Sequence, residues 1–307
     1  MIEILVVVSI IALLVGLLLP AVHTVQKMAK DTKQKAQFTS IELGLAAFKS
    51  DYSDYPPSSW WKPAIPGGRQ DYCGAQKLAE ALLGWDLLGF HPDSAWRADG
   101  LDRNSGPTTY DPLKVNAANV TLDKRKDRYV ELEHANAFPL GESGAGARDG
   151  LFPDTSNGSG NAPLAQRTFV LCDVFTVSGR KVLMNGSSLA LPGVTAQMVS
   201  PGTPILYYKA NTASKVHADA TVDPQYRIYD IRDNYPLVSL GAMADAMKPI
   251  AARKHHPLED NNYFYEYIRD PRVQARPWPY RPDSYLLISA GADGLYGTND
   301  DIRNFGQ

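Results

Sequence analysis

Charge is absent from the chain between positions 4 and 22, and almost every residue there is apolar. A helix over that run rises roughly 28 Å at ~1.5 Å per residue, close to the ~30 Å hydrocarbon core of a bilayer. A run this pure predicts a membrane-competent helix rather than a soluble-core one. No Lys or Arg precedes it and no small-x-small site follows it, so an ordinary signal peptide is a poor fit. Next comes HTVQKMAKDTKQKAQFTSIELGLAAFKSDYSDYPPS. Here Phe38, Ile41, Leu45, Phe48 and Tyr52 recur at helical spacing, while Lys27, Lys30, Lys33, Lys35 and Lys49 fall largely on other faces. The pattern predicts one helix of about fifty residues, greasy in its first half and amphipathic in its second, ending at Tyr55-Pro56-Pro57. Pro20 removes a backbone hydrogen bond and should kink or locally melt it.

Downstream the periodicity changes. Residues 56–165 are rich in Pro, Gly, Asp, Asn and Trp, with one short helix expected at 76–88. They read as a large loop-rich insertion. Strand patterns return at 168–172, 205–209, 227–231 and 285–289, with a helix expected at 237–248. A long helix followed by strands predicts an α+β fold, with a head packed on the helix's second half. The expected units are a helix at 1–55 (apolar 1–22, amphipathic 23–55), the insertion at 56–165 and a β-rich head at 166–307.

Composition narrows the function. The chain has 307 residues and a formal net charge of −2, so it carries no global basic footprint for nucleic acid. Its two cysteines, Cys73 and Cys172, allow at most one internal disulfide and no CxxC-type metal or haem motif. No GxSxG, Walker A or GxGxxG fingerprint is present; Ser156, Ser159 and Ser187 lie in Gly/Asn turns. His255-His256 beside Glu259 and Asp260 lacks metalloenzyme spacing and reads as a solvated polar turn. Arg272, Arg276 and Arg281 interleave with Trp278 and Tyr280, but the prolines among them point to a rigid packed loop. These absences favour a protein without catalysis.

One segment suggests a ligand. After the strand at 285–289 come Asp293, Asp300 and Asp301, separated by Gly294, Gly297 and Thr298. Calcium takes six to eight oxygens from carboxylates and carbonyls on a flexible loop. The spacing fails the EF-hand template. Loops starting at Asp99 and Asp149 echo the Asp-Gly-Leu opening, which is ordinary turn chemistry.

Glu3, the apolar run to Leu19 and Pro20 together resemble the N-terminus of mature type IV pilins and type II secretion pseudopilins. The C-terminal SYLLISAGADGLYGTNDDI resembles the calcium loop of major pseudopilins. The resemblance implies a pilin-like fold, with an antiparallel sheet laid across the long helix and an unusually large head. It implies a homopolymeric helical filament whose core is the apolar half-helix. It also implies a prepilin peptidase and an inner-membrane assembly platform as earlier partners. The chain would sit in the inner membrane before assembly, then in a periplasmic pseudopilus or a cell-surface filament. Calcium would be held by Asp293, Asp300 and Asp301, with carbonyls of Ala290, Leu295 and Thr298. A Cys73–Cys172 bridge is expected from the same exported compartment.

Glu3 separates the readings. The alternative is a single-pass membrane-anchored exported protein, an adhesin or a minor pseudopilin, and a plain anchor has no use for a carboxylate at the tip. In a polymer it pairs with the N-terminal ammonium of a neighbour and sets axial register, because an unpaired buried charge costs several kcal/mol. Family members usually carry two more residues before this Glu. With Met1 as the mature N-terminus, its ammonium lies about two residues from Glu3, and pairing within one chain becomes a rival. The plain alternative is a Glu held at headgroup level by the helix N-terminus. Phe38-Thr39-Ser40-Ile41-Glu42-Leu43 mimics a second processing motif, but the polar sequence after it places it in the amphipathic half of the helix.

Overall fold

Helix α1 runs over Ile2–Tyr52, 51 residues, in a computed structural model describing residues 2–59, 72–98, 100, 109–110, 122–142, 148–155, 168–184 and 197–306, less the side chains of residues 2, 5, 17–21 and 23. Its length matches the expected fifty or so. It ends three residues before Tyr55, and Pro56 follows outside any helix or strand. The helix passes through Pro20 without a break, so the expected local melting does not occur. The missing N–H costs one bond, while the flanking apolar residues continue the helix on both sides.

Burial along α1 begins at Gln34. From there Gln37, Phe38, Ile41, Leu45 and Phe48 form one stripe of buried side chains. The five lysines named above are all exposed. The stripe packs on α2 (Gly74–Leu83), an element that is buried along its whole length. Even Lys77 and Glu80 are enclosed there. Lys77 donates to the Ser59 carbonyl, and Glu80 accepts from the hydroxyls of Tyr72 and Ser94. The expected helix at 76–88 stops early because Gly84 takes φ 89° and its amide closes on the Glu80 carbonyl at 2.8 Å.

The short helix α3 (Leu132–Ala135) leads into β1 (Ala137–Pro139), which pairs antiparallel with β2 (Phe169–Leu171). β1 and α2 both belong to the stretch expected as an insertion, and both join the head's core. A second hairpin pairs β3 (Val182–Met184) with β4 (Gln197–Val199). The central sheet has the order β5-β6-β7: Leu206–Lys209, Tyr285–Ser289 and Ile302–Arg303, all antiparallel. Alternation along its strands divides two cores. Tyr207, Tyr285 and Leu287 face the stripe of α1 together with Leu78 and Leu82 of α2. Leu206, Tyr208, Leu286 and Ile288 face the other way, onto Leu237, Leu258, Phe264, Tyr265 and Ile268. A sheet covered on both faces explains the unbroken apolar run of β6.

Two expected elements do not form. Residues 227–231 form bends rather than a strand: the Ile228 backbone bonds to Val216 and Asn211, and the Asp230 carboxylate starts a 3₁₀ turn by accepting the Arg232 amide at 2.9 Å. Residues 237–248 keep only the short helix α4 (Tyr235–Val238) and a single 3₁₀ turn at Met243–Asp245. Helix α5 (Asn261–Tyr267) is capped by Asp260, whose carboxylate accepts the Tyr263 amide at 2.8 Å.

Candidate functional site: assembly helix and last loop

The first half of α1 presents apolar side chains outward. Nine of them, from Ile4 to Val15, are between 47% and 69% exposed. Glu3 sits exposed in the first turn, and Met1 lies outside the described residues. Among the described residues no helix is long and apolar enough to cross a membrane. Residues 5 and 17–21 of the expected apolar run have no described side chains.

Polar anchors set where the stalk meets the head. Gln37 Nε2 donates to the carbonyls of Ala135 (3.2 Å) and Cys172 (2.9 Å), and Gln34 Oε1 accepts the Val174 amide at 2.9 Å. Glu42, from the stretch that mimics a processing motif, meets Arg281 at 2.9 Å and the Asn304 amide at 3.0 Å. Sequence reasoning missed the glutamines. Their signal was present: positions 34 and 37 continue the stripe of 38, 41 and 45 at helical spacing.

Beside these anchors Asp173 is fully enclosed. Its carboxylate accepts the amides of Phe175 and Thr203 and the Ser289 hydroxyl at 2.9–3.1 Å. Burial nevertheless pushes its pKa up to about 8.

The expected disulfide is not formed: Cys73 and Cys172 are both free and buried. Each serves as a small apolar residue in one core cluster, and burial pushes the Cys73 thiol up to about 12. The histidines of 255–256 diverge. His255 reaches Glu259 at 2.8 Å on the surface, whereas His256 is buried, accepts the Tyr296 amide at 3.2 Å and is pushed down to about 4 by burial. His256 is therefore no part of a solvated turn. Arg276 lies 4.0 Å over Trp278 and Arg272 grips Asp270, but residues 271, 272 and 274–277 are exposed, so the expected packing reaches only Trp278, Pro279 and Tyr280. The loop opened by Asp99, and Ser156, Ser159 and Ser187, lie outside the described residues.

In the last loop, three carboxylates come close in sequence but are engaged internally. Asp293 Oδ1 accepts the Leu295 amide at 2.8 Å. Asp300 accepts the Asp293 amide at 2.9 Å and the Thr298 hydroxyl at 2.6 Å. Asp301 Oδ2 accepts the Gly297 amide at 2.7 Å and the Tyr267 hydroxyl. The Leu295 carbonyl receives Thr298 at 3.2 Å. Among the described residues no three His, Cys, Asp or Glu side chains are grouped so as to hold a metal ion. As arranged, Asp293, Asp300 and Asp301 form no such cluster to hold calcium with the carbonyls of Ala290, Leu295 and Thr298, and each carboxylate accepts at least one donor from the loop or from Tyr267.

No protein-family model and no solved structure matches the chain. The chain is 29% identical over 155 residues to the type II secretion system core protein G of Escherichia coli (strain K12), an alignment covering 46% of this chain and 92% of that protein. That similarity supports a pilin-like relationship for an α+β chain of one long helix and antiparallel sheets, and with it a structural rather than an enzymatic protein.

Proposed function

We propose that the chain is a subunit of a type II secretion pseudopilus or a related pilus-like filament, polymerising through the first half of α1. The observation that carries this reading is the row of outward apolar side chains from Ile4 to Val15 on a helix whose other half is built into a head. Exposed apolar surface on this scale marks a face that another molecule covers. Burying nine such side chains between copies stabilises an assembly by on the order of 10 kcal/mol. The similarity to a secretion-system core protein supports the same reading. Glu3 sets the stagger by pairing with a neighbouring ammonium, and Pro20 belongs to the same assembly segment. The subunit is held in the inner membrane before assembly and is delivered by a prepilin peptidase and an assembly platform.

The test is Glu3→Ala. Electron microscopy of cells producing the variant should find no filaments, while the purified variant melts like the parent. Normal filaments from the variant rule out the register role. A parent chain that never forms filaments, and stays a dispersed anchored protein, rules out the filament itself.

A further inference from the structure

We propose that the last loop of this chain is closed by a tyrosine clasp from α5, Tyr267 on Asp301 and Tyr263 on the Gly297 carbonyl, in place of a divalent cation. Tyr263 and Tyr267 stand one turn apart, so both hydroxyls leave the same face of α5. Their rings lie stacked with centroids 6.2 Å apart. Tyr263 donates to the Gly297 carbonyl at 2.6 Å, and Tyr267 donates to Asp301 Oδ2, which also receives the Gly297 amide. The clasp therefore grips both sides of one residue, Gly297. That residue has φ 94°, and a Cβ there would come within 3.0 Å of Leu258 N, Pro257 Cβ and the Tyr263 ring. Only glycine lets the loop lie this close.

The platform carrying the tyrosines is held in the core. Phe264, Tyr265 and Ile268 anchor α5 in the core, and Asp260 caps it. Next to it the chain at 256–258 pairs with the loop: Leu258 N donates to the Tyr296 carbonyl and Tyr296 N to His256 Nδ1, both at 3.2 Å. The Tyr296 hydroxyl reaches the Pro204 carbonyl on the far side. Arg303, two residues past Asp301, lies 4.8 Å over the Tyr267 ring and places a cation on the clasp. The carboxylates that calcium would bind, and the turns it would cross-link, are here held by O–H and N–H donors. A divalent ion would have to displace the Tyr267 hydroxyl and the loop amides to gain the same oxygens.

The experiment uses the full chain in detergent, melted in millimolar calcium chloride and in excess EGTA, with calcium binding measured by titration calorimetry. The expected result is the same melting temperature in both buffers and no saturable binding of calcium. Tyr267→Phe should lower the melting temperature by about 2–6 °C in both buffers, the loss of one hydrogen bond to a charged group. Tyr263→Phe should lower it by less, since its acceptor is a neutral carbonyl. Saturable calcium binding, a rise in melting temperature with calcium, or a Tyr267→Phe chain that melts like the parent would overturn the clasp. The wild-type titration decides the calcium question even where a variant fails to fold. None of these outcomes depends on whether the chain forms filaments.

Discussion

Between Ile4 and Val15 of α1 nine apolar side chains are 47–69% exposed, while Phe38, Ile41, Leu45 and Phe48 of the same helix are at most 4% exposed. Both stretches are uninterrupted α-helix. The difference lies in what interrupts the apolar residues. In the second half lysines and glutamines alternate with them, so the helix has a face, and Gln34, Gln37 and Glu42 fix that face to named partners on the head. In the first half the helix is apolar all round and offers the head no distinct stripe. A uniform apolar helix has no preferred neighbour within its own chain. It is suited to lipid or to identical helices arranged around it.

Four measurements can break or sharpen this contrast. The largest effect is expected for Leu45→Ala, which empties a fully buried site against α2 and the sheet; chemical denaturation should register a loss of about 2–5 kcal/mol. A loss under about 1 kcal/mol would mean the stripe does not hold the head. Gln37→Ala comes next, because it strips the donor from two carbonyls at the junction, and about 1–3 kcal/mol should be lost.

The third measurement is a pH profile of the same junction. Asp173 has a folded-state pKa raised to about 8 from the usual 3.8, so its contribution is fully present below about pH 4 and disappears as pH rises through 8. His256 acts in the opposite sense: depressed to about 4, it costs stability as pH falls below its ordinary 6.5. Above pH 6.5 buried carboxylates dominate: Asp233, raised by burial to about 7, and Asp173. Stability should therefore fall between pH 6.5 and 8, with about 1 kcal/mol per pH unit coming from Asp173. Asp173→Asn keeps an oxygen for the two amides and should flatten that slope. An unchanged slope would show that Asp173 ionises normally. The smallest effect belongs to the exposed half. Val7→Ala should leave head stability within about 0.5 kcal/mol while weakening filament yield, scored by sedimentation. A destabilised head would mean that this half touches it after all.

Much of the fold was legible from periodicity. The long helix, its buried stripe and the strand at 285–289 follow from spacing alone, because a 3.6-residue or unbroken apolar pattern leaves one economical way to bury it. The strand expected at 227–231 and the helix expected at 237–248 did not form. The first gave way to bends and a 3₁₀ turn started by the Asp230 carboxylate, and Gly241 at φ 73° broke the helical path of the second. The central place of α2, with Lys77 and Glu80 enclosed, could not be read from a short helix expected inside a loop-rich stretch. Its environment is supplied by residues such as Ser59, Ser94 and Asn234 that come from elsewhere in the chain.

By itself the sequence determined that an apolar helical stretch precedes an amphipathic one, with a carboxylate near its start and three aspartates in a late loop. It also determined which face of the second half is buried, since burial follows the spacing of side chains on one helix. Tertiary structure alone decided what those side chains meet. It left Cys73 and Cys172 as separate thiols in a shared core. It also gave Asp301 the Tyr267 hydroxyl by bringing α5 against residues some thirty positions away, while Asp293 and Asp300 accept donors of the loop itself. A carboxylate's spacing says how many oxygens a loop can offer. Whether a metal or a hydroxyl takes them depends on the groups that folding delivers to hydrogen-bonding distance.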